Sequence, residues 1–149
     1  MSVTKIFKLP FTKVQHEART GEIGVTANNL IAVLNLGDVR EVHIDEVNKT
    51  PVGVYQTEKT VQQILDDVNA TGYTQNGFVE VTFIKGRSHT FKTPIPGLLN
   101  TDKVAQCLRR DPSGTKVHVD NHNQKNYREN VVYEVEEDLV EWDRAVPYY

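Results

Sequence analysis

Residues 28–47, NNLIAVLNLGDVREVHIDEV, carry the clearest structural signal in the chain. Leu30 to Leu36 form an apolar run broken only by Asn35, and Gly37-Asp38 supplies a turn. Beyond the turn, Val42 and Ile44 alternate with Glu41, His43 and Asp45. Side chains alternate between the two faces of a strand, so a period of two marks a half-buried strand. Two strands around a glycine turn predict a β-hairpin.

Upstream, KIFKLPFTKVQH at 5–16 reads as an extended segment interrupted by Pro10. Proline donates no N–H, so it belongs at a sheet edge or a break. The segment is therefore expected to be an arm rather than a core strand. Downstream, TEKTVQQILDDVNATG at 57–72 is the best helix. Val61, Ile64, Leu65 and Val68 recur at i, i+3, i+4 and i+7 and form one apolar stripe. Thr60 with Gln63 fits a capping box, Thr57 is an equal candidate for the cap, and Gly72 suits the C-terminal stop.

GFVEVTFIKGRSHTFKTP at 77–94 predicts a second hairpin, turning at Lys85 to Ser88 and ended by Pro94 and Pro96. NTDKVAQCLRRDP at 100–112 predicts a short helix in which Val104 pairs with Cys107 or Leu108. TKVHVDNHNQKNYRENVVYEVEE at 115–137 predicts a third hairpin. The expectation is an α+β domain: a mainly antiparallel sheet built from hairpins, two helices packed on one face, and extended termini. Residues 1–20 are read as an N-terminal arm, 21–136 as the domain, and 137–149 as an acidic, aromatic tail.

The chain has 149 residues, 38% of them hydrophobic and 25% charged. That length suits one domain with a self-sufficient core. No apolar run is long enough to span a membrane, and the first residues lack the apolar block of a signal peptide. A single Cys can form neither an internal disulfide nor a thiolate zinc site.

The net charge of -3 conceals a layout. Residues 83–128 hold 9 basic against 3 acidic side chains, and residues 129–149 hold 1 basic against 7 acidic. Either the acidic stretch folds back on the basic one or it reaches a neighbouring molecule. Folding back needs no partner and is the simpler expectation.

His118, Asp120 and His122 have metal-ligand chemistry at i, i+2 and i+4. However, Val117 and Val119 mark the core face of that strand, so the trio points away from it, and Asn121 and Asn123 signal a turn. No metal or other cofactor is expected. Cys107 reads as a small buried hydrophobe. Asp66-Asp67 falls on the polar face of the helix. No nucleophile elbow, phosphate loop or zinc-protease motif occurs. The expectation is a protein without enzymatic activity.

Two features favour recognition. Lys85, Arg87, His89 and Lys92 interleave with Phe83 and Phe91, and Arg109, Arg110, Lys116, Lys125 and Arg128 extend the basic surface. Such a surface can bind nucleic acid, although Phe83 continues the core alternation of Val79 and Val81. At the termini, Ile6, Phe7, Leu9 and Phe11 face a C-terminal stretch with Trp142, Val146, Tyr148 and Tyr149, suited to anchoring in a neighbour's pocket. The candidate interaction residues are accordingly Phe7, Phe11, Lys85 and Arg87, then Arg109, Arg110, Trp142, Tyr148 and Tyr149.

The stretch VTANNLIAVLNLGDVREVHIDEV, followed by the helix around VQQILDDV, resembles small β-rich structural proteins of bacteriophage virions, of the capsid auxiliary, decoration or tail-associated kind. The resemblance rests on layout over about half the chain, and it carries over no functional residue. It implies a virion component, assembled in the host cytoplasm, that binds a protein lattice and copies of itself through arms and sheet edges. The competing expectation is a small nucleic-acid-binding or regulatory protein that uses the basic 83–128 region with the acidic tail as an autoinhibitory mimic.

Overall fold

The computed structural model describes residues 6–14, 17–45, 53–71, 77–86, 89–109, 114–119 and 131–137. Strands β1 (Phe7–Val14), β2 (Glu17–Val25), β3 (Leu30–Asn35), β4 (Arg40–Ile44) and β5 (Gly53–Thr57) precede helix α1 (Val61–Ala70). After it come β6 (Phe78–Gly86), β7 (His89–Asn100), a 3-10 turn at Thr101–Lys103, β8 (Val104–Arg109), β9 (Thr115–Val119) and β10 (Val131–Val135). All ten strands join one sheet in the order β2-β1-β5-β4-β3-β7-β6-β10-β9-β8. Every recorded ladder is antiparallel.

This overturns the expected α+β layout with two helices: the described residues form a β-rich fold with a single α-helix. The segment read as the second helix is instead the 3-10 turn and β8. A β-bulge is the cause. Val104 and Cys107, three residues apart, register against Val119 and Val117, only two apart on β9. The extra residue of a bulge converts the strand period of two into a helix-like spacing of three.

The helix over 61–70 forms as its pattern dictates. Thr60 caps it, accepting from the Gln63 N–H at 3.1 Å while the Gln63 side chain accepts from the Thr60 N–H at 2.9 Å. Thr57 plays a smaller part, accepting from the Lys59 N–H. Ile64 and Val68 are the buried residues of the stripe; Gly72 lies outside the described residues.

All three expected hairpins are present as pairs β3–β4, β6–β7 and β9–β10. Strand β7, however, runs on through Pro94 and Pro96. Both prolines lie before Gly97, where the ladder to β3 begins, so at that point β7 has β6 as its one recorded neighbour. Pro94 also falls in the register shift between Ile95 and Thr90. These are positions at which a sheet tolerates a missing donor. Pro10 likewise pairs with Glu22 on β2, outside the short Lys13–Val14 ladder to β5.

The sheet carries two cores, one on each face. Leu9, Phe11, Val25, Val42, Ile44 and Tyr55 pack with Ile64 and Val68 of α1 in an N-terminal core. Val81, Phe83, Val117, Val119, Tyr133 and Val135 form a C-terminal core on the opposite face. Strand β3 serves both: Leu30 and Val33 face the first, and Ile31 and Leu34 the second. Strand β7 does the same with Leu98 and Leu99.

The first twenty residues, read from the sequence as an arm, supply β1 and the start of β2, with Leu9 and Phe11 buried. At the other end, β10 lies between β6 and β9, and its one acidic residue, Glu134, registers against both Lys85 and Lys116. Within these strands the opposite charges meet inside one molecule.

Candidate functional site

Strand β4 and the residue after it carry a file of titratable side chains. Glu41, His43 and Asp45 follow at i, i+2 and i+4, so they share one face, opposite Val42 and Ile44 of the N-terminal core. That face turns into the C-terminal core: His43 and Asp45 are each 1% exposed. The alternation predicts a half-buried strand, and β4 is in fact covered on both sides.

His43 sits between two partners. Its Nδ1 lies 2.5 Å from the Tyr133 hydroxyl and its Nε2 lies 2.7 Å from Glu41 Oε1. With Glu41 ionised, Nε2–H donates to the carboxylate, and a neutral ring then accepts the tyrosine hydroxyl at Nδ1. Three strands separate β4 from β10 in the sheet order. A flat sheet would hold them about 19 Å apart. The contact exists because the sheet curls, bringing Tyr133 across the interior, its ring tilted against Phe83.

A second polar pair closes the same curl. Lys103 Nζ donates to Asp45 Oδ2 at 2.8 Å, both side chains being buried. Asn100 sets up the approach: its side-chain amide donates to the Ala27 and Leu30 carbonyls, and its Oδ1 accepts from the Asp102 N–H. This turns the chain at the end of β7 and aims Lys103 inward.

Glu41–His43–Tyr133 has the bonding pattern of a proton relay, with Tyr133 fully buried at its inner end. The two hydrogen bonds satisfy the His43 ring and the Tyr133 hydroxyl inside an apolar interior. Sequence reasoning missed these residues because it ended their strand's story at one buried face. The available signal was β3: Leu30 to Leu34 is apolar at consecutive positions, and a strand buried on both faces reads that way. Its neighbour β4 is then also covered on both sides.

Among the described residues no three His, Cys, Asp or Glu side chains gather as metal ligands. His118 lies on the polar side of β9, away from the C-terminal core. Partial burial, with Lys116 next in importance, lowers its pKa below the ordinary value of 6.5. Its Nε2 is buried without a hydrogen-bond partner among the described residues. Asp120 and His122 lie outside them.

The structure scatters the candidate interaction residues. Phe7 and Phe11 pack in the N-terminal core, the Phe11 ring centroid 5.0 Å from that of Tyr55. Lys85, on the outer side of β6, approaches Glu134 at 3.9 Å. Arg109 ends β8. Arg87, Arg110, Trp142, Tyr148 and Tyr149 lie outside the described residues.

Two surface features remain. Strand β2, nine residues long, is at the end of the sheet and pairs with β1 alone among the described strands. Its first four residues are exposed. Separately, an open groove of ≈ 560 Å³ runs between the start of α1 and the outer side of β6 and β7. No helix of the described residues is long and apolar enough to cross a membrane. Compared with known protein families, curated proteins and solved structures, the chain matches none.

Proposed function

We propose that this protein is a non-enzymatic assembly protein, a virion component that docks on a capsid or tail protein lattice. The observation that carries the reading is the open edge of β2. Over nine residues its outward backbone groups have no ladder partner among the described strands. Such an edge is a template for strand addition by another chain. The groups with catalytic chemistry support the same reading, since His43, Tyr133, Asp45 and Lys103 bond one another inside the fold.

Arg19→Pro tests it. Arg19 falls in the register shift between the Phe11↔Gly21 and Lys13↔Ala18 pairs, so proline there spares β1 while spoiling the free edge. Light scattering of the chain mixed with the products of neighbouring genes should show a complex that Arg19→Pro loses at unchanged circular dichroism. A strict monomer that binds none of them overturns the proposal. Steeply salt-dependent DNA or RNA binding, strengthened by deleting residues 138–149, a cut that leaves β10 and Glu137 in place, would establish the nucleic-acid alternative instead.

A further inference from the structure

Glu80 owes its position to the strand period. Val79, Val81 and Phe83 face the C-terminal core, so Glu80 and Thr82 face the other way, registered against Leu98 and Pro96. Val61, the first residue of α1, makes the far wall, and Asn35 and Glu137 complete the groove. Its apolar lining is Val61, Pro96 and Leu98, and its charged groups are two carboxylates with no lysine or arginine among the lining residues. Glu137 is engaged, accepting from the Thr82 N–H at 2.7 Å and the Thr82 hydroxyl at 2.8 Å. Glu80 is exposed and has no partner among the described residues. The occupant of such a groove pairs an apolar side chain with a cation.

Among the described residues, the start of β1 displays that combination on the surface. Phe7, Leu9 and Phe11 point into the N-terminal core, which turns Ile6 and Lys8 outward on the same side of the strand. Ile6 is 66% exposed, the most open large hydrophobic among the described residues, and it rests over Gly24 of β2. Lys8 is exposed two residues along.

We infer that the Ile6–Lys8 end of one copy seats in the Glu80 groove of a second copy, with Ile6 on Val61 and Pro96 and Lys8 against Glu80. The inference extends the assembly reading to contacts between copies. Donor and acceptor surfaces differ, so the contact is heterologous and propagates head to tail into a ring or a filament. Because the charges lie at an exposed rim, salt weakens the association.

Sedimentation of the full chain over a concentration series at low salt tests this with Glu80→Lys, Lys8→Glu and the double variant. Each single variant should weaken self-association by about tenfold or more, and the double variant should restore it. Ile6→Asp provides an independent variant at an exposed site, expected to weaken association equally at unchanged circular dichroism. A wild-type chain that stays monomeric, or one whose association ignores both charge reversals, overturns the inference. So does a Glu80→Lys effect confined to a complex with a neighbouring gene's product, which would give the groove to another partner. None of these outcomes bears on the β2 edge, which Arg19→Pro tests separately.

Discussion

Asp45 and Lys103 stand 58 residues apart in the chain, yet their side chains meet at 2.8 Å with exposures of only 1% and 8%. The pair joins the residue after β4 to the residue before β8, so it fastens the curl where no backbone ladder spans the gap. Removing one partner leaves the other charge buried. Lys103→Met alone should destabilise by about 3–5 kcal/mol in urea unfolding. Asp45→Leu combined with Lys103→Met should recover most of that loss, because apolar replacement of both members of a buried pair is often close to neutral.

Tyr133→Phe keeps the ring that packs on Phe83 and removes the hydroxyl that His43 Nδ1 meets. It should cost about 1–3 kcal/mol, the penalty for a buried polar atom left unsatisfied. Glu41→Gln should cost less, since Glu41 is 25% exposed and water can replace its contact. Equal losses for the two variants, measured by chemical denaturation, would contradict this ordering.

Gly97 and Gly37 should respond to alanine to different degrees and for different physical reasons. A Cβ at Gly97 would lie 2.0 Å from the Val33 carbonyl oxygen and 2.9 Å from the Phe83 ring. Backbone cannot move aside cheaply in the shared strand, so Gly97→Ala should cost about 3 kcal/mol or prevent folding. At Gly37, φ is +101° but nothing lies within 4 Å, so Gly37→Ala carries only backbone strain of about 1 kcal/mol. Thermal melts of the two variants separate these cases.

Thr60→Ala removes the acceptor for the Gln63 N–H and should lower stability by about 1 kcal/mol. Thr57→Ala, whose hydroxyl accepts only from the Lys59 N–H, should cost less. The comparison identifies the functional cap by calorimetry.

His118 makes stability depend on pH. Burial first, and Lys116 second, hold its folded pKa below the unfolded value of 6.5, so the native state favours the neutral ring. This contribution is complete above pH 6.5 and is lost as pH falls through the folded pKa. Denaturation series at pH 7.5 and 5 should therefore show a drop that His118→Gln reduces. An NMR titration placing His118 at or above 6.5 would refute the assignment.

The hairpins and α1 were legible in the sequence because their patterns are local: a turn glycine at 37, a capping pair at Thr60 and Gln63, a period of two or of 3.6. What escaped was everything produced by interruption or distance. The β8 bulge mimicked helical spacing at Val104 and Cys107. The prolines of β7 read as a strand end, whereas the absence of a second ladder at that point lets the strand continue through them. The buried file on β4 depended on Tyr133 and Lys103, whose arrival is set by curl rather than by any neighbouring residue. The exposed surface features, the β2 edge and the Glu80 groove, likewise exist only once the strand order is known.

The double service of β3 has a consequence for how the molecule comes apart. Val33 and Leu34 are adjacent residues lodged in different cores, so neither core can open without loosening the strand that supports the other. The two halves should therefore melt as one cooperative unit, and the amides of β3 should exchange with solvent only through global unfolding.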